Sequence, residues 1–155
     1  MKNDGNDLVK LLVGSEGTLA FFTQIELDLV PRPRHTVLGV CGFSSLPEGL
    51  DTVQHLVELH PTAVELVDGA LIDLGREIPA FRDAIDAFVV GDPRAILLVE
   101  FSGDDPQKLD RDLNALGERL GDLEPTATFL RAEAPDLQAR IWGVRKAAMN
   151  VVMSM

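Results

Sequence analysis

From His35 onward apolar positions recur in two rhythms, one of period two and one of period three to four, and the switches between them divide the chain into elements. HTVLGVCGF, dense in apolar residues, predicts a strand. Ser45-Leu-Pro-Glu48 then has the Ser-x-x-Glu spacing of a capping box with proline inside the first turn, so a helix starts there and runs to about His60. Its Leu50, Val53, Leu56, Val57 and Leu59 recur at helical spacing, and Pro61 stops it. AVELVD alternates as a strand does, and ALIDLGREIPAFRDAIDAF reads as helical pieces interrupted at Pro79. RAILLVEFSG is a buried strand, and Asp105-Pro106 starts a helix with one apolar stripe of Leu109, Leu113, Leu116 and Leu120. ATFLRAEA is the fourth strand, and a last helix runs from Asp136 to Met155 with no stop signal. The order β-α-β-(α)-β-α-β predicts an α+β fold, a ferredoxin-like four-stranded antiparallel sheet with helices on one face.

The block before it is of another kind. LVKLLVGSEGTLAFFTQIELDLVPRPR reads as a strand, a glycine turn, a short link and a second strand closed by Pro31 and Pro33. Strands need partners, and too little chain precedes this block to supply them. Residues 1–33 are therefore expected to be the end of an upstream domain, and residues 34–155 a second one.

Composition narrows the function. Hydrophobic residues make up 46% of the chain, enough for a packed core and against disorder. No apolar run approaches the roughly 20 residues of a membrane span, and the start has no signal-peptide pattern, so a cytoplasmic location is expected. The net charge of −11 and the lack of a basic cluster with interleaved aromatics exclude a nucleic-acid partner. The lone Cys41 sits in a strand-like run and reads as a core thiol. His35, His55 and His60 lack ligand spacing, so no metal site is expected. Glu65 and Asp68 read as a solvated acidic pair.

In so acidic a chain, a binding site for an anion needs a cation set among apolar residues. On a helical wheel Arg145 falls between Val152 and Met149, inside the apolar arc of Leu137, Ile141, Val144 and Ala148. Three readings stand: a guanidinium holding a substrate carboxylate by paired hydrogen bonds, an internal ion pair with an Asp or Glu, or a stem lying along the surface with its head in water. Gly14-Ser-Glu-Gly-Thr18 is either a surface turn or a bare backbone able to approach a cofactor. It is neither a Walker loop nor a dinucleotide fingerprint, and no catalytic triad can be assembled.

LLVGSEGTLAFFTQIELDLVPRP resembles the Gly-Ser-Glu-Gly-Thr-Leu-Gly-Ile-Ile-Thr segment that ends the FAD domain of the FAD-linked oxidases, the family of glycolate oxidase, D-lactate dehydrogenase and D-2-hydroxyglutarate dehydrogenase. AVELVDGALID is similar to that family's Ala-x-Glu-Leu-x-Asp segment, and Ile141-Trp-Gly-Val-Arg145 to its Trp-x-x-Arg. The resemblance implies a ferredoxin-like cap over the flavin and oxidation of a small anionic D-2-hydroxy acid by hydride transfer to FAD. It implies that Glu16, Gly17, Thr18 and the backbone of Ala20, Phe21 and Phe22 line the FAD, and that Arg145 clamps the substrate carboxylate. It also implies an iron-sulfur electron-transfer partner or fused domain in some members. Ala20 replaces the family's glycine, and Phe21 and Phe22 its aliphatics. Neither the phosphate-cradling loops nor the histidine-rich catalytic segment has a counterpart here. The chain is therefore expected to be a fragment that alone neither binds FAD nor turns over. The rival readings are a free-standing ferredoxin-like module for a small ligand, or a domain that forms homodimers through its sheet edge.

Overall fold

A computed structural model describes residues 8–154, with side chains described as far as residue 147. The chain divides into two compact units, one ending at Arg32 and the other beginning at Pro33.

In the first unit the predicted opening strand is a short helix, α1 (Leu8–Leu12), and residues 20–33 form no ladder. A strand depends on hydrogen bonds from a neighbour, and among the described residues none is offered. The run LVKLL instead satisfies its backbone locally, and Val13 N closes the turn on Val9 O at 2.8 Å.

The second unit carries the expected four-stranded antiparallel sheet. Its elements are β1 (His35–Phe43), α2 (Leu46–Leu56), β2 (Ala63–Asp68), α3 (Gly69–Glu77), α4 (Pro79–Asp86), β3 (Ala95–Gly103), α5 (Pro106–Leu123), β4 (Thr128–Ala132) and α6 (Pro135–Ser154). The strand order is β2-β3-β1-β4, the ferredoxin-like arrangement, with the long, buried β1 and β3 in the centre.

Alternation gives each central strand two apolar faces, and both are covered. Odd positions such as Cys41, Leu97 and Val99 pack under α2 and α5, where Leu109, Leu113, Leu116 and Leu120 form the expected buried stripe. Even positions such as Leu38, Val40, Ile96 and Leu98 pack under Ile72 of α3, Ile85 of α4 and Ile141 of α6. Helices thus lie on both faces, not on one as expected. β1 and β3 are apolar on both sides, and strands of that kind need two covers.

The helix after β1 also departs in detail. Its inward stripe is Gly49, Thr52, Val53 and Leu56, whereas Leu50 and Val57 are exposed. Counting only large apolar side chains misplaces the stripe, because the small Gly49 and Thr52 are among its buried members. Ser45 Oγ accepts from Glu48 N, as a capping residue should, while the Glu48 carboxylate accepts from Ser44 Oγ at 2.7 Å.

Candidate functional site

Arg145 and Glu65 meet across 80 positions of sequence. On α6, Ile141 is buried against the second face of the sheet, and Arg145 follows one turn later. On β2, Glu65 stands opposite Leu98 of β3, so the alternation of the strand turns it to that same face. Arg145 Nε donates to Glu65 Oε2 at 2.5 Å, with the two side chains 39% and 31% exposed. The neighbours expected for Arg145, Met149 and Val152, have side chains outside the described residues.

The pair edges a cavity of about 290 Å³. Its walls are apolar, built from Val67 and Leu98 of the sheet, Ile72 of α3, Ile85 of α4, Phe88 beyond it, and Ile141 of α6. Among the described residues Glu65 and Arg145 are the charged side chains in the lining. The ion pair is about one-third exposed, so its direct contribution to stability is on the order of 0–1 kcal/mol. Its larger consequence is geometric: a free arginine side chain carries about 2 kcal/mol of rotamer freedom, and a contact at Nε restricts much of it. Among the described residues no acceptor meets the two Nη atoms.

Sequence reasoning set Glu65 aside as half of a solvated pair with Asp68, and the structure separates the two. Asp68 is the N-cap of α3, where its side chain accepts from Ala70 N at 2.7 Å. The period-two rule would have parted them, since positions three apart on a strand face opposite ways. Glu100, which no reading singled out, lies on the same face as Glu65, opposite Ala63 of β2 and Leu38 of β1. It is half buried and makes no ion pair among the described residues. Desolvation raises its pKa, and the nearby Glu65 charge adds to the rise. Burial pushes the Cys41 thiol up to about 12, which makes it unreactive. Glu58, close to two histidines in sequence, is engaged by Arg119 at 2.9 Å.

The glycine turn lies in the first unit. Gly14, Glu16 and Gly17 have φ of 84°, 48° and 80°, a left-handed path that glycine favours at two of the three positions. Thr18, expected to offer its hydroxyl to a cofactor, donates from both N and Oγ1 to Ser15 O, at 2.9 and 2.6 Å. Glu16, Gly17 and Phe22 line a concavity of about 560 Å³ facing Leu12 and Ile25. Ala20 is half buried and Phe21 is 91% exposed. Ser15 Oγ is buried with no hydrogen-bond partner among the described residues.

Residues 32–155 match the family described as FAD linked oxidases, C-terminal domain. The chain is 34% identical over 120 residues to D-2-hydroxyglutarate dehydrogenase of Escherichia coli (strain K12), covering 76% of this chain and 12% of that protein. It is 29% identical over 147 residues to the mitochondrial D-lactate dehydrogenase (cytochrome) of Arabidopsis thaliana, covering 94% of this chain and 24% of that one. A solved alkyldihydroxyacetonephosphate synthase matches with a TM-score of 0.60 at 20% identity, over 87% of this chain and 26% of its own, a likeness of fold. The chain thus spans about a quarter of the length of these proteins or less.

Proposed function

Because this chain belongs to the FAD-linked oxidases through their C-terminal domain, we propose that it is the substrate-side part of a flavoenzyme that oxidises a D-2-hydroxy acid. The observation that carries the proposal is the cavity of about 290 Å³ with apolar walls and one guanidinium at its edge. A small hydroxy acid has a carboxylate for the Nη edge of Arg145 and a carbon chain for the apolar wall. In this reading Arg145 binds and orients the substrate, and the apolar wall excludes water from its carbon end.

Bound FAD would supply the hydride acceptor. The turn of the first unit fits one edge of such a group. Nothing lies within 4 Å of where a Cβ would stand on Gly14 or Gly17, so a flat ring can approach the bare backbone. The orphaned Ser15 Oγ supplies a further polar atom. Glu16, Gly17, Thr18 and the backbone of Ala20, Phe21 and Phe22 would hold that edge. The phosphate-binding part of a flavin site has no counterpart among these residues, so the chain by itself is inactive and takes up no FAD in this reading. Electrons would leave the complete protein through an acceptor of one of three kinds: an iron-sulfur partner or domain, a quinone, or oxygen.

The test is the absorbance near 450 nm of the complete protein, before and after D-lactate, D-2-hydroxyglutarate or glycolate is added. A yellow protein bleached by one of them supports the reading. A colourless protein that FAD cannot reconstitute sinks it. In the same protein Arg145→Ala should weaken substrate binding by about 2–3 kcal/mol with FAD retained. Unchanged affinity would return Arg145 to an internal ion pair.

A further inference from the structure

We propose that Glu65 is a positioning residue for Arg145: it holds the guanidinium by Nε at the cavity edge, so that the two Nη atoms meet the substrate carboxylate end-on. This rests on the carboxylate-clamp reading above and names the group that makes the clamp work.

Three observations carry it. The contact is made at Nε, the one nitrogen whose engagement leaves the end-on fork intact; a partner on the Nη atoms would block the clamp. Both ends of the contact are anchored. Ile141, one turn before Arg145, is 1% exposed, and Glu65 stands in register with Leu98, also 1% exposed. Glu65 is also placed as no neighbouring carboxylate is: Asp68 faces the other way and caps α3, and Glu100 contacts no cation among the described residues.

Glu65 has two opposing effects on an anionic substrate. Its charge repels the incoming carboxylate, and its hydrogen bond holds the arginine ready. The pair is about one-third exposed, so solvent screens the repulsion, whereas the hydrogen bond fixes the side chain directly. Positioning therefore dominates, and removing Glu65 weakens binding.

The experiment is a double-mutant cycle in the complete flavoprotein with Glu65→Ala, Arg145→Ala and the pair. Two quantities are read: KM and kcat for D-lactate, and the dissociation constant of oxalate, which is not oxidised, by calorimetry. Glu65→Ala should raise KM and the oxalate constant about tenfold, with kcat changed far less. In the Arg145→Ala background the same change should have no effect. Glu65→Gln keeps an oxygen facing Nε and should restore most of the loss. If Glu65→Ala fails to fold, Glu65→Gln takes its place in the cycle with a rise of about threefold. A rise in the parent that is equal in the Arg145→Ala background, or no rise, overturns the positioning role while the clamp stands. If Arg145→Ala itself moves neither quantity, the clamp fails and the positioning role falls with it.

Discussion

Glu100 pairs with no cation among the described residues, although Arg145 is bound to Glu65 on the same sheet face. Half buried between Leu38 and Ala63, it loses hydration when ionised, and the charge of Glu65 makes ionisation harder still. Its folded pKa is therefore raised. A carboxyl with a raised folded pKa favours the folded state fully below its unfolded value, about 4.3, and loses that contribution as the pH rises through the folded value. Glu100→Gln should accordingly melt above the parent at pH 7 and match it below about pH 4. Thermal unfolding across that range checks this, and an offset that is the same at every pH would assign the difference to packing. The setting of Arg145 was legible in the sequence because a cation on an apolar helical arc is conspicuous, and its pairing with Glu65 is the internal ion pair that the sequence left open as one reading. Glu65 was not, because one more acid in a chain of net charge −11 stands out only when the strand's two faces are read separately.

α3 and α5 show how glycine acts in opposite senses. Gly69 opens α3 with its N donating to Arg94 O at 2.9 Å, and a Cβ there would stand 2.8–3.0 Å from Arg94 backbone atoms. Backbone cannot step aside as a side chain can, so Gly69→Ala should destabilise by about 1–3 kcal/mol. Gly121, in the last turns of α5, has nothing within 4 Å of a Cβ, and Gly121→Ala should stabilise by about 0.5–1 kcal/mol. Urea denaturation of both variants reads the two signs, and a Gly69→Ala variant as stable as the parent would show that the α3–β3 junction gives way. Most elements of the second unit were legible because each has its own rhythm and punctuation: Asp105-Pro106 before the leucine stripe of α5, Pro79 between α3 and α4. Their placement as a second layer on the other face was not. α3 and α4 are short, and only the two-sided burial of β1 and β3 requires a cover there.

The two units differ most in where their apolar side chains lie. The core of the second is closed within itself, with every buried member of its two clusters between Leu38 and Ile141. The first buries none of its described apolar side chains fully and exposes Phe21, Leu29 and Val30 almost completely. A contiguous apolar segment of that kind is a surface that further chain or a partner can cover. Hydrogen exchange separates the covers. In the isolated chain the amides of β1, β3 and α5 should exchange slowest, and those of residues 14–30 faster by orders of magnitude. In the complete protein with FAD the amides around Gly14–Phe22 should become protected. Protection of residues 14–30 in the isolated chain that grows with its concentration would instead show a second copy on that surface, and would favour a self-associating module over part of a flavoenzyme.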